Sequence, residues 1–219
     1  MLAGPVAAQV TGSVAVENDY RLRGYSLSEG EPTGIASLSY DDSSGFYLGG
    51  TALRALKHYD DPGLYGFTAN AGYARRLSPG LSIDGGVVDS EFHHLSGYGS
   101  TRYTELYLGL LTSHLAGHVY YSPNYFRAGY RTLYGELEGT VRTVADIRLN
   151  AHFGRLFYVD QPWSRPLRQD QYDWRLSASR RFAGFDLHLA LTGGGPAKDY
   201  YAGRPHTKTA LVAGASWTF

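Results

Sequence analysis

The chain has 219 residues, among them 28 glycines and 19 tyrosines but a single methionine, a composition suited to β-structure with many turns and aromatic rims. Lys+Arg and Asp+Glu balance at 20 each, so no global field favours nucleic acid or an anionic membrane surface as a partner, and any electrostatic function must be local. The lack of cysteine excludes a disulfide framework and thiolate chemistry.

No run approaches the roughly 18 apolar residues of a membrane helix, which leaves open a barrel whose strands need only about 9–11 alternating residues. Residues Met1 to Gln9 read MLAGPVAAQ, with Ala7 and Ala8 before Gln9, like the end of a secretory signal. Residues 1–8 are therefore expected to be a signal remnant or a disordered N-terminus. No Pro/Gly/Ser-rich linker divides the rest, so 9–219 is expected to form one domain.

Period two dominates from Val10 to Phe219, and no segment of helical length keeps an i, i+3, i+4 stripe. In the first strand Val10, Gly12, Val14, Val16, Tyr20 and Leu22 share one face, and Ser13, Glu17, Asp19, Arg21 and Arg23 the other. The same split sets Leu81, Ile83 and Val87 against Ser82 and Asp84, and Leu106, Leu108 and Leu110 against Tyr103, Glu105 and Tyr107. It sets Phe185, Leu187, Leu189 and Leu191 against Asp186, His188 and Thr192.

The pattern predicts about twelve strands, near 10–22, 33–40, 46–54, 64–76, 81–88, 102–111, 115–121, 130–138, 146–154, 172–181, 185–192 and 207–219. Short turn-forming links such as Asp41 to Gly45, Ser78-Pro79-Gly80, Thr112-Ser113-His114 and Phe182-Ala183-Gly184 alternate with longer segments. A fifth short link falls between Gly139 and Ala145. The alternation is that of an antiparallel up-and-down transmembrane β-barrel of a Gram-negative outer membrane, with short periplasmic turns and long extracellular loops. A soluble β-sandwich or lipocalin-like barrel also alternates apolar with polar residues. Against it stand strands longer than the usual ~5–6 residues and tyrosines near strand ends, where an aromatic girdle would lie.

The last strand places Leu211, Ala213, Ala215, Trp217 and Phe219 on one face, with Lys208, Gly214, Ser216 and Thr218 on the other. Trp217 and the terminal Phe219 resemble the signal read by the barrel-assembly machinery, and pairing of this strand with the first would close the barrel and remove edges that lipid cannot solvate.

Asp19-Tyr20-Arg21-Leu22-Arg23-Gly24 followed by Ser26, Ser44-Gly45-Phe46-Tyr47, Tyr103 to Leu110, Tyr120-Tyr121-Ser122-Pro123-Asn124-Tyr125-Phe126 and Asp173-Trp174 resemble, in this order, the TorF-family porins of proteobacteria. The resemblance implies an outer-membrane barrel and a channel; it brings no substrate and no active site. Arg155 to Arg168 and the last long loop match nothing in that pattern.

A charged residue at the bilayer midplane of the lipid face costs roughly 2–4 kcal/mol, so the charged file of strand one must face the lumen. Glu17, Asp19, Arg21 and Arg23 then form a ladder at steps of about 6.6–6.8 Å, two acids followed by two bases. Glu105, Glu136, Glu138, Arg148, Asp173, Arg175, Asp186, His188 and Lys208 join the inward set on the same parity. Such a lumen is a constriction with a transverse field for small polar or ionic solutes. The alternative is a salt-bridge plug that closes the interior, since small barrels are filled by side chains, 16–18 strands leave a pore, and about twelve lies between.

An enzyme would need a nucleophile and a base at one level of the wall. His118, His152 and His188 are inward, and Ser122, Ser177 and Asp186 are available, but no lipase-like or protease-like motif surrounds them. Glu91, His93 and His94 lack a third metal ligand at usual spacing, and the sequence carries no cofactor motif. Tyr158, Trp163, Arg165 and Arg168 are loop residues suited to solvation, to ligand capture or to lipopolysaccharide phosphates. The expected partners are the lipid bilayer and lipopolysaccharide, the barrel-assembly machinery and small solutes.

Overall fold

The computed structural model describes residues 8–28, 30–56, 64–93, 100–164, 170–195 and 209–219. Twelve antiparallel strands close a barrel: β1 (Gln9–Glu17), β4 (Thr33–Asp41), β5 (Phe46–Ala55), β6 (Leu64–Ser78), β7 (Leu81–Phe92), β8 (Thr101–Thr112), β9 (Leu115–Ser122), β10 (Arg131–Arg142), β11 (Arg148–Asp160), β12 (Gln171–Phe182), β13 (Phe185–Gly194) and β14 (Thr209–Thr218). A two-stranded hairpin, β2 (Arg21–Leu22) and β3 (Tyr25–Ser26), stands apart from the wall. Strand number and alternation of short and long links agree with the sequence pattern. The short links bring Gln9 opposite Asp41 and Phe219 beside Gly12 at the same rim.

The seam joins Ser13–Glu17 of β1 to Gly214–Thr218 of β14. Paired backbone bonds between Gly12 and Phe219, each 2.9 Å, extend it toward the short-turn rim. At its other end Asn18 keeps one backbone bond, its N–H to Ala213 O (3.1 Å), and its side chain donates to Leu211 O (3.1 Å) and receives the Ala213 N–H (2.8 Å).

Large apolar side chains point outward all round the wall, including Val14, Leu38, Leu48, Leu108, Leu137, Leu149, Phe153, Leu176, Leu187 and Leu189. In water such a surface would drive aggregation; in a bilayer it is the required solvent contact. Phe46 and Tyr73 (ring centroids 5.0 Å apart) and Trp217 and Phe219 (4.9 Å) form an aromatic collar at the short-turn rim. Many tyrosines, however, are not girdle residues. Tyr103, Tyr125 and Tyr134 are buried in the interior with Leu27, Leu53, Phe92 and Leu156.

The first strand departs from expectation. It ends at Glu17, not at residue 22, because Asn18 occupies the ladder with its side chain and Asp19 turns the chain inward. The Asp19 carboxylate accepts bonds from Ser26 Oγ (2.5 Å), Ser28 Oγ (3.1 Å) and Arg21 Nε (2.6 Å), knitting 19–28 into a self-contained loop. Tyr20 and Leu22, expected on the lipid face, pack against the buried interior cluster.

Candidate functional site

The interior has two levels. At the long-loop level the inturned segment 18–28 and the loop 123–130 fill the barrel with an aromatic plug. Phe126 stacks on Phe92 (6.0 Å) and lies against Tyr103 (4.8 Å), and its carbonyl accepts the Thr101 hydroxyl (2.5 Å). The tip of the hairpin, Leu22-Arg23-Gly24-Tyr25, has positive φ at both central residues, 51° and 74°, the geometry of a type I′ turn. Gly24 is obligatory there, since a Cβ would lie 2.7 Å from Gly195 N and 2.9 Å from Asp173 Cβ.

Arg23 donates to both oxygens of Glu105 at 2.9 and 2.8 Å. Its guanidinium carbon lies 3.9 Å from the Tyr134 ring centroid, 5.2 Å from Tyr125 and 5.4 Å from Tyr120. Desolvated cation–π contact and a bidentate charge-assisted pair act together on one group. Tyr20, on the same segment, is pushed up to about 12 by burial first and by the Glu17 carboxylate second, so it stays a neutral phenol.

Below the plug lies a cavity of about 620 Å³, whose lining runs from Arg23, Phe92 and Tyr103 to Arg148, Asp186 and Ser216 near the short-turn rim. Its polar groups are interlocked. His152 Nε2 is 2.8 Å from Asp173 and its Nδ1 3.4 Å from Glu138. Tyr134 donates to Asp173 (3.1 Å) and Tyr120 to Glu136 (3.1 Å). Arg175 reaches Glu138 at 3.4 Å and His188 reaches Glu17 at 3.3 Å. To one side Tyr47 bonds both Tyr107 and Asp84, with His118 3.4 Å from Asp84.

Of the predicted lumen residues, Glu17, Glu105, Glu136, Glu138, Arg148, Asp173, Arg175, Asp186 and His188 line this cavity from the wall. Asp19, Arg21 and Arg23 line it too, but from the inturned segment, so the expected four-residue ladder on strand one is not formed. Lys208 lies outside the described residues, as do His94, Arg165, Arg168 and residues 1–7. Trp217 and Phe219 sit on the outer collar. Parity does not reveal the tyrosine cage of Arg23; its sequence signal is the Tyr120–Phe126 run, part of the family resemblance. Its segments converge here, with Asp19 to Ser26, Tyr103 to Glu105, Tyr120 to Phe126 and Asp173 all in or beside the plug.

Among the described residues no hydrogen bond joins a serine hydroxyl to a histidine, and Ser122 donates instead to Thr104 O at 2.8 Å. Glu91 and His93 approach at 3.5 Å, and no three ligating groups converge among the described residues.

The bacterial family Gcw_chp, described as a protein of unknown function, matches residues 3–217. No curated protein matches the chain. Among solved structures it is similar to the KdgM porin, with TM-score 0.57 and 14% identity over 95% of this chain and 99% of that one. The same porin in complex with disordered oligogalacturonate gives 0.54 and 12% over 96% and 99%. An outer membrane channel from Pseudomonas putida F1 gives 0.56 and 15% over 99% and 97%. The shared property is the fold, a closed antiparallel barrel of the outer-membrane type.

Proposed function

We propose that this chain, which belongs to the Gcw_chp family of bacterial proteins, is an outer-membrane channel for small polar and ionic solutes, with a preference for cations. The observation that carries the reading is the contrast between an apolar exterior and a cavity lined by charge. Seven carboxylates, from Glu17, Asp19, Glu105, Glu136, Glu138, Asp173 and Asp186, meet four guanidinium groups, from Arg21, Arg23, Arg148 and Arg175. Rings and files of carboxylates favour cations through local field, whatever the net charge of the chain. One similar porin holds an oligogalacturonate, a polyanion; the acidic lining here opposes a solute of that kind. The TorF-like segments fit the same reading, since they build the plug that would set the passage width.

Arg102–Asp89 (2.7 Å) and Arg131–Asp160 (3.3 Å) pair at exposed, outward positions toward the long-loop ends of their strands. In the bilayer these groups would meet lipopolysaccharide head groups, and the Trp217–Phe219 collar would be the contact for the assembly machinery. Residues 9–219 then act as one domain.

The inturned segment favours a second reading, a closed structural barrel. Single-channel recording of refolded protein in a planar bilayer under a salt gradient separates the two. The channel reading expects discrete conductance steps and a reversal potential on the cation side. Silence from a preparation that remains heat-modifiable would leave the closed barrel, and an anion-side potential would overturn the assigned preference.

A further inference from the structure

The cage around Arg23 is more elaborate than a strut requires. Its walls come from separate places, Glu105 on β8, Tyr120 on β9, Tyr125 on the following loop and Tyr134 on β10. Arg23 itself is held with φ 51° at the first central position of a turn that favours Asn, Asp or Gly. A non-glycine residue there carries backbone strain that its side-chain contacts must offset. Leu27 N to Tyr20 O (2.8 Å) and Glu31 N to Ser28 O (2.9 Å) close within the segment, which is tied to the wall at its ends by Asn18 N to Ala213 O (3.1 Å) and Leu56 N to Pro32 O (2.8 Å); the hairpin β2–β3 between them pairs with no wall strand.

We propose that this cage is a recognition site for solutes bearing a guanidinium group, and that Arg23 is its resident occupant. The proposal rests on the channel reading and names the solute class for the same lumen. A plane of donors matched to both Glu105 oxygens, with its face on Tyr134, selects a guanidinium over an ammonium, which presents a compact point charge and no flat face. Below the cage, Asp173, Glu136 and Glu138 continue as carboxylates along the cavity toward the short-turn rim, giving a cation stepping places after it leaves the cage. Entry of a guanidinium solute competes with Arg23, frees the hairpin tip and opens the long-loop level; departure lets Arg23 return. The device admits larger solutes only of its own class, while small ions pass whether or not Arg23 is seated.

Chemical rescue tests the site without any use of conduction. In detergent, Arg23→Ala should lower the temperature at which the heat-modifiable barrel is lost. Millimolar ethylguanidinium should restore most of that loss, with a half-effect concentration at least tenfold below that of ethylammonium at matched ionic strength. Adding Glu105→Gln should abolish the difference. In a single-cysteine variant, Leu27→Cys, made in a chain with no cysteine of its own, the buried thiol should react with a water-soluble maleimide several-fold faster when ethylguanidinium is present than with ethylammonium. This second measurement keeps Arg23 in place, and so does not depend on the folding of Arg23→Ala. Equal effects of the two cations, or no effect of either, would overturn the proposal. A silent bilayer with intact rescue would instead remove the channel and leave the site.

Discussion

Arg23 and Glu105, 82 residues apart in sequence, meet inside the barrel with both carboxylate oxygens engaged by one guanidinium. Both side chains are nearly free of solvent, 11% and 5% exposed, so each depends on the other. Removing Glu105 alone strands a buried cation, a change that costs about 3–5 kcal/mol in comparable buried pairs. Glu105→Ala should therefore lower the thermal transition of the refolded barrel markedly, and the double change Arg23→Leu with Glu105→Leu should lower it less than Glu105→Ala does. A double variant no better than the single one would show that the pair is not a closed electrostatic unit.

Lumen charge should set ion preference with a definite sign. Glu138→Gln removes a carboxylate that faces the cavity beside His152 and Arg175, and should move the reversal potential toward the anion side. Arg175→Ala should move it the other way. A unit charge acts at 4 Å with about 1 kcal/mol in water and more where the wall excludes water, so changes in permeability ratio of about fivefold are expected. Reversal potentials measured under one KCl gradient decide it. Unmoved values in both variants would take these residues out of the permeation path.

Neighbouring positions on β13 face opposite solvents. Leu187 points outward, whereas His188 lines the cavity and approaches Glu17 at 3.3 Å. In proteoliposomes a water-soluble thiol reagent should label His188→Cys and spare Leu187→Cys. The reverse pattern would mean a one-residue slip of register along that strand.

Gly24 is the hinge point of the plug. A β-carbon there meets Gly195 and Asp173 at under 3 Å in a left-handed conformation that already costs an L-residue about 1–2 kcal/mol. Gly24→Ala should unseat the hairpin while sparing the wall, seen as larger or noisier conductance with unchanged heat-modifiability. Loss of the folded barrel would place Gly24 in the foundation of the fold and not in a separable plug.

Parity made most of the fold legible. Each barrel strand alternates because one face meets lipid and the other a polar interior, so sequence period and wall geometry carry the same information. The inward set on β8 and β10 to β13 followed directly. What parity could not read was Asp19 to Ser28, because a segment that continues an alternating pattern can leave the ladder when local side chains satisfy it better. The Asn18 side chain supplements its last backbone bond to the wall, and Asp19 gathers Ser26, Ser28 and Arg21. The tyrosines misled for a related reason. A phenol suits a membrane rim and also a polar interior, and the choice rests on neighbouring glycines. Gly154, for example, leaves room where a Cβ would fall 2.0 Å from the Tyr134 hydroxyl.

The seam between β1 and β14 has a mechanical meaning. Its ladder covers only Ser13–Glu17, whereas β1 pairs with β4 along the whole of Gln9–Glu17. A tube under lateral tension parts along a lightly stitched line, and this one is reinforced at one end by the Phe219 backbone bonds and at the other by the Asn18 amide. These two fasteners make the joint behave as a zip with stops at both ends. If the wall ever parts sideways within the bilayer, it will begin where one of them has let go.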